Sequence, residues 1–167
     1  MNFNADSQGR FEAGALILRC AIGKGGMVAA ADKREGDGAS PVGHWPLRYV
    51  LYRPDRGAAP ATALPVRPLA EDDGWCDDPA HPDYNRPVKR PFPASHEAMW
   101  RDDHLYDIVV VLGHNDDPPR PPLGSAIFLH LAKPDYAPTE GCIALARADL
   151  EAVLALAAPG DALEIRP

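Results

Sequence analysis

The chain lacks the sequence features of three large classes of protein. It has no stripe of lysine and arginine, and its net charge is −7, so nothing indicates a nucleic-acid-binding surface. No stretch approaches the ~20 consecutive apolar residues of a membrane-spanning helix. Neither His-Glu-x-x-His nor Cys-x-x-Cys occurs, so we expect no metal site and no cofactor. These absences predict a globular domain without a nucleic-acid, membrane or metal partner.

Cysteine is also scarce, and its number is odd. Cys20, Cys76 and Cys142 are far apart in the sequence, which is not the pattern of a disulfide framework. Cys20 lies in an apolar stretch and is expected in the core. Cys76 lies in a polar stretch and is expected to be exposed without being catalytic. Only Cys142 has a context that indicates chemistry.

The first residues have neither the basic segment nor the apolar segment of a secretory signal. We therefore expect a cytoplasmic protein, or a periplasmic one if a leader has been removed. Because residues 1–12 are polar, they predict a loose N-terminus. Residues 13–167 then form one domain, which is long enough to bury a core of its own.

High proline and glycine contents, 19 and 14 residues, favour turns and long loops over long helices. Residues 53–70 and 71–93 are rich in proline and predict loops. Ser95–Arg101 predicts a short helix, and Ala148–Ala157 has the apolar spacing of an amphipathic helix. Apolar runs predict the strands, which are Ala15–Ile22 with Met27–Ala30 as its hairpin partner, Trp45–Tyr52, Tyr106–Gly113, Ser125–Leu131 and Asp161–Arg166. The pattern predicts a mainly β domain, a single sandwich or barrel with one or two short helices.

A cysteine and a histidine stand close together near the end of the chain. His130 belongs to the predicted strand Ser125–Leu131 and precedes Cys142 by twelve positions (142 − 130). A thiol becomes a strong nucleophile as thiolate, and a histidine within hydrogen-bond reach is its usual activator. Two neighbouring strands would bring these two side chains together. A buried cysteine and a hydrogen-bonded core histidine fit the residues alone equally well.

The segment around Cys142 resembles the active-site signature of L,D-transpeptidase catalytic domains. That signature is a histidine, a spacer and Ser/Thr-x-Gly-Cys, followed by an apolar residue and usually arginine. Two positions differ, since Glu140 stands where many members have histidine and Ala144 where many have arginine. The matching positions are His130, Thr139, Gly141, Cys142 and Ile143. Segments that resemble upstream blocks of the family are Glu35–Gly43, Asp73–Asp78 with Tyr84-Asn85, and Gly124–His130.

The resemblance implies a β fold and a cysteine enzyme that acts on peptidoglycan stem peptides. Members cleave the bond between the third residue, commonly diaminopimelate, and a terminal D-alanine, and they are typically acylated by carbapenems. An amine acceptor then gives a crosslink or an exchanged D-amino acid, whereas water gives an L,D-carboxypeptidase. A cytoplasmic enzyme meets only soluble muropeptides, so we expect a carboxypeptidase in peptidoglycan recycling. A transpeptidase and a non-catalytic binder of peptidoglycan fragments are the alternatives.

The resemblance also implies the roles of the active-site residues. Cys142 is the nucleophile, and His130 transfers the proton. The oxyanion would be stabilised by the backbone N–H groups of Cys142 and of Gly141 or Glu140. Thr139 would support the loop.

Several other side chains are candidates for binding the substrate, although loop packing explains each of them alone. They are Thr139, Glu140, His114, Asn115, Trp75, Tyr84, Asn85 and Arg86. Basic residues suit the recognition of substrate carboxylates, although a solvated charge is the simpler reading of each. These residues are Arg86, Lys89, Arg90, Arg101 and Arg120.

Overall fold

Short strands joined by turns dominate the computed structural model, which describes all 167 residues. The only helix is α1 (Arg147–Leu156). The thirteen strands are β1 (Asn2–Asp6), β2 (Arg10–Ala13), β3 (Leu16–Ala21), β4 (Met27–Ala29), β5 (Ser40–Tyr52), β6 (Val66–Pro68), β7 (Asp73–Cys76), β8 (Pro87–Lys89), β9 (His96–Ala98), β10 (Ile108–Leu112), β11 (Phe128–Leu131), β12 (Ile143–Leu145) and β13 (Ala162–Arg166). The prediction of a mainly β domain is confirmed.

Ten of the strands form one sheet that closes into a barrel. Its order is β10-β11-β12-β3-β2-β1-β13-β5, and β5 also pairs with β10. Closure depends on the length of β5, whose residues 43–46 pair with β13 and whose residues 47–52 pair with β10. β4 and β6 are added along β5, and the remaining three strands form a separate sheet in the order β8-β7-β9.

The strands β10, β11 and β12 are buried on both faces, and this double burial positions the functional site. Side chains alternate between the two faces of a strand. On one face, Leu129, Ile143 and their neighbours join the barrel core. On the other face, Phe128 and Cys142 join a smaller apolar cluster beneath the separate sheet.

The helix α1 covers the main core with the apolar face that the sequence predicted. Leu150, Val153 and Leu154 are fully buried there, and the helix lies against β11. No helix in the structure has the length and apolarity that crossing a membrane requires.

The prediction of a loose N-terminus over residues 1–12 is wrong, and the start of the domain at residue 13 is wrong with it. β1 pairs with β13 in parallel and with β2 in an antiparallel ladder. Phe3 and Ala5 alternate with polar residues, and both are buried in the barrel core. A short strand of this kind has only two inward-facing residues, so it reads as polar in the sequence.

The chain between β3 and β10 contains further differences from the predictions. Met27–Ala29 pairs with β5 rather than forming a hairpin with β3. Residues 71–93 contain β7 and β8, and residues 95–101 contain β9 instead of a helix. Pairing with β7 outweighs the weak helical preference of so short a segment. Cys76 therefore lies in a strand and is fully buried, which corrects its predicted exposure.

Candidate active site

Cys142 and His130 lie on the same face of two neighbouring strands. β11 and β12 are parallel, with His130 opposite Ala144, and Cys142 precedes β12 by one residue. The strand spacing and the rise per residue place the two Cα atoms about 8 Å apart, a diagonal that side chains can bridge. Both residues line one cleft of about 490 Å³. The fold therefore brings the predicted nucleophile and base together, without a hydrogen bond between them.

The thiol of Cys142 is held by backbone groups. Its S–H donates to the Ala126 carbonyl at 3.2 Å, and its sulfur accepts the Phe128 N–H at 3.4 Å. Burial raises the pKa of Cys142 to about 12, and the charge of Glu97 acts in the same direction. The resting form at neutral pH is consequently the thiol.

His130 is held in one tautomer. Its Nδ1 lies 2.9 Å from the Leu131 carbonyl, and because a carbonyl only accepts, the proton is on Nδ1 and Nε2 is the free base. The Tyr106 ring packs edge-on against the imidazole at 5.3 Å. Burial lowers the pKa of His130 to about 4. The resting pair is therefore a neutral thiol beside a neutral imidazole, not an ion pair.

The loop before Cys142 is closed by Thr139. Its hydroxyl donates to the Cys142 carbonyl at 2.6 Å and accepts the Gly141 N–H at 3.1 Å. The Gly141 N–H is thus occupied, which corrects its predicted part in an oxyanion hole. The N–H groups of Cys142 and Glu140 donate to no acceptor in the protein and remain available. Thr139 borders the cleft, but its hydroxyl serves the loop.

Glycine is required at position 141 for two reasons. Its φ of +132° is a conformation that other residues rarely adopt, and a Cβ there would lie 2.9 Å from the Ala39 carbonyl oxygen. The catalytic loop therefore rests directly on the segment that leads into β5.

The rim and floor of the cleft are strongly charged. Glu140 lies at the rim, where its carboxylate pairs with Lys24 at 2.9 Å. Of the basic residues predicted to bind carboxylates, only Arg101 lines the cleft, and it pairs with Asp103 at 2.6 Å. Charged cleft residues outside the predicted site are Lys33, Glu35, Asp77, Glu97 and Lys133. Lys33 lies two residues before the segment Glu35–Gly43, which begins with Glu35, contains Gly36-Asp37-Gly38 and resembles an upstream block of the family. That resemblance was the available signal.

The substrate wall predicted from residues 75–86 is not part of this cleft. Trp75 is buried, packs edge-on against Phe128 at 5.0 Å and donates its indole N–H to Asn85 at 3.0 Å. Tyr84 is buried and donates its hydroxyl to Glu35 at 2.6 Å. Arg86 is exposed beside a separate cavity of about 320 Å³. Tyr84 therefore supports the cleft residue Glu35 from behind, whereas Trp75 and Arg86 lie outside the cleft lining.

His114 and Asn115 also lie outside the cleft. His114 is buried after β10, its Nδ1 has no hydrogen-bond partner, and burial lowers its pKa to about 4. Asn115 folds its own loop, since its amide donates to the carbonyls of Gly124 at 2.8 Å and Arg120 at 3.1 Å. His114 and Asn115 were predicted to contact the substrate, but the structure places both outside the cleft, where they pack and fold the loop after β10.

Asn85 connects these loops to the thiol. Its amide donates to the carbonyls of Asn115 at 2.7 Å and His114 at 3.2 Å, and its oxygen accepts the Ala126 N–H at 3.0 Å. Ala126 has a φ of +53°, which is unfavourable for alanine, and its carbonyl accepts the Cys142 thiol. Asn85 is therefore a positioning residue that acts on Cys142 through Ala126.

We expect Asn85→Ala to destabilise the fold and to disturb the thiol. Buried N–H and carbonyl groups would lose their partner, at a cost of about 2–4 kcal/mol in the free energy of unfolding. Urea unfolding measures this loss, and the alkylation rate of Cys142 measures the change at the thiol. Asn2→Ala, on an exposed side chain, is the control. Equal stability and equal alkylation in the two variants would contradict this role for Asn85.

The model of the YkuD family, described as the L,D-transpeptidase catalytic domain, matches residues 4–165. Searches of curated proteins and of solved structures returned no match. The matched region extends from within β1 to within β13 and includes both Cys142 and His130. With the cysteine and histidine in one cleft and the match covering nearly all 167 residues, the chain belongs to the YkuD family of L,D-transpeptidase catalytic domains.

Proposed function

We propose that this member of the family is an L,D-carboxypeptidase, which releases terminal D-alanine from peptidoglycan tetrapeptides. Family membership gives a cysteine-dependent enzyme of the L,D-transpeptidase type and peptidoglycan peptides as substrates. The observation that carries the proposal is the single cleft that contains Cys142 and His130 and has about the volume of one small ligand, 490 Å³.

The reaction starts from the neutral pair. The thiol turns from the Ala126 carbonyl towards Nε2 of His130, which takes its proton as the sulfur attacks the carbonyl carbon of residue 3. The free N–H groups of Cys142 and Glu140 are the donors for the oxyanion. The C–N bond then breaks, the imidazolium gives its proton to the departing amine of D-alanine, and a thioester remains on Cys142.

Water completes the reaction in this proposal. His130 Nε2 takes a proton from water as the water oxygen bonds to the thioester carbon. The C–S bond then breaks and the imidazolium returns its proton to the sulfur, which gives a tripeptide acid, the thiol and the neutral imidazole. An amine acceptor as large as a second stem peptide would need its own groove to the sulfur. The second cavity, of about 320 Å³, contains neither Cys142 nor His130, so it gives no second route to the sulfur. This arrangement supports water as the acceptor.

We place the enzyme in the cytoplasm, acting on soluble muropeptides during recycling. All three cysteines are unpaired, which suits a reducing compartment. Fractionation of cells that produce the protein from its natural gene tests this assignment, and recovery in the periplasm would contradict it.

The reaction is tested with disaccharide-tetrapeptide, in the presence and absence of a D-amino acid such as D-methionine. We expect free D-alanine and tripeptide as the main products under both conditions, identified by mass spectrometry. Dominant exchange of D-alanine for D-methionine would replace our proposal with a transpeptidase.

A carbapenem separates both enzymes from a non-catalytic binder. We expect one covalent adduct on the wild-type protein by intact-mass measurement, and none on Cys142→Ala. Absence of both an adduct and turnover would indicate a protein that only binds peptidoglycan fragments.

A further inference from the structure

Lys33 is a buried cation in the active-site cleft. Its side chain is only 3% exposed, yet it lines the same cleft as Cys142. Its ammonium donates to the Asp37 carboxylate and to the Arg34 carbonyl. An ammonium has three N–H donors, so the third has no acceptor in the protein. Burial of a charge is costly unless its hydrogen bonds are made, so this donor favours an acceptor brought by a ligand.

The loop of residues 33–39 is built to hold this ammonium in place. The Asp37 carboxylate accepts the N–H groups of Arg34 at 2.8 Å and Ala39 at 2.9 Å in addition to the ammonium of Lys33. Burial alone would raise the pKa of Asp37, but these hydrogen bonds outweigh it and lower that pKa. Asp37 is the acid of the Gly-Asp-Gly segment. That segment therefore holds Lys33 in place, and the proposed catalytic steps do not involve Lys33.

The same loop lies against the nucleophile. The Ala39 carbonyl contacts the backbone of Gly141 so closely that a Cβ there would be 2.9 Å from its oxygen. Burial raises the pKa of Cys142, whereas the charge of Lys33 acts in the opposite direction. The charge of Lys33, at the start of the loop of residues 33–39, thus acts on the sulfur of Cys142.

The other charged groups of the cleft do not compete for this role. Arg101 is partly exposed and Lys133 is exposed, so water solvates both charges, whereas Lys33 is buried. The Glu35 carboxylate accepts the hydroxyls of Tyr84 and Ser125, both at 2.6 Å. An anionic end of a substrate therefore has one buried cation to meet.

We propose that Lys33 binds the C-terminal carboxylate of the peptide whose penultimate carbonyl Cys142 attacks. This inference rests on the proposed carboxypeptidase function and names the group that selects its substrates. In the proposed complex one residue, the terminal D-alanine, lies between the scissile bond and the carboxylate that Lys33 binds. Chains that continue beyond that residue lack an anion at this point, so the enzyme acts at chain ends.

The test compares two substrates, a stem tetrapeptide with a free C-terminal carboxylate and the same peptide as its C-terminal carboxamide. A charge-assisted hydrogen bond in a buried site corresponds to roughly 10- to 100-fold. We expect the wild-type protein to favour the acid by that factor in kcat/KM, mainly through KM. Lys33→Met should lose the preference for the acid, so that its ratio of kcat/KM between acid and carboxamide falls towards one, while Lys33→Arg should retain part of the preference.

Lys89→Met is the matched control, because Lys89 is exposed, pairs with Asp72 and Asp73 and lies outside the cleft. If Lys33→Met does not fold, Lys33→Gln removes the charge while keeping an N–H donor for Asp37. Equal cleavage of acid and carboxamide by the wild type, or an unchanged preference in the folded Lys33 variant, would overturn the assignment of Lys33 alone. Release of neither D-alanine nor D-alaninamide by the wild type would instead overturn the proposed function, and this assignment with it.

Discussion

Cys142→Ala is expected to abolish turnover on tetrapeptide while leaving the fold intact. The sulfur forms the bond to the substrate, and no other nucleophilic side chain lies on this face of β11 and β12. The two other cysteines cannot replace it, because Cys20 faces the barrel core and Cys76 is fully buried in β7. The substitution removes one small buried group and its contacts with Ala126 and Phe128. The expected cost in stability is about 1 kcal/mol, so a folded and inactive protein should result.

The matched control is Cys20→Ala, which removes the same group from the opposite side of the sheet. We expect it to keep wild-type kcat/KM, with a similar small loss of stability. Release of D-alanine from tetrapeptide is measured for both variants, and the melting temperature reports their folding. Turnover by a folded Cys142→Ala protein would show that the nucleophile has been misassigned.

The strands around the candidate active site could be predicted, because consecutive apolar residues indicate a strand that is buried on both faces. Ile108–Leu112 is buried along its whole length, and Phe128–Leu131 is the strand that the histidine belongs to. β1 and β9 could not be predicted in this way. Their inward-facing residues number two or fewer, and their pairing depends on partners distant in sequence, β13 and β7. Strands as short as β1 and β9 take their structure from tertiary contacts and not from intrinsic strand propensity.

The same difference holds for the site: contacts between neighbouring strands could be predicted, whereas contacts between distant loops could not. The proximity of Cys142 and His130 could be predicted, because a short spacer and two neighbouring strands bring them together. Asn85 was predicted to bind the substrate, but in the folded chain its amide donates to the carbonyls of His114 and Asn115 instead of facing the cleft. Lys33 was missed, since lysine is ordinarily exposed and its burial depends on Asp37.

His130→Gln is expected to lower kcat by about 10²- to 10⁴-fold, the usual contribution of a general acid–base group. Glutamine fills a similar volume and can donate to the Leu131 carbonyl, but it cannot accept the thiol proton. Because burial raises the pKa of Cys142 to about 12, the thiol cannot ionise unaided at neutral pH. The loss should therefore appear mainly in kcat. A variant with nearly wild-type kcat would contradict the role of His130 as the base.

The pH dependence of stability provides an independent test of the same residue. Burial lowers the pKa of His130 from 6.5 to about 4, so the unfolded chain binds a proton between these values that the folded chain does not. The stabilisation is complete above pH 6.5 and is lost as pH falls towards 4, at up to about 1.4 kcal/mol per pH unit for one proton. His114 is lowered to about 4 in the same way and remains in the variant. The free energy of unfolding, measured with urea between pH 4 and 6.5, should therefore change less steeply with pH in His130→Gln than in the wild type. The difference in slope corresponds to up to one bound proton. An identical slope would mean that the folded and unfolded chains bind the same number of protons at His130 in this range, which would contradict the lowered pKa of His130.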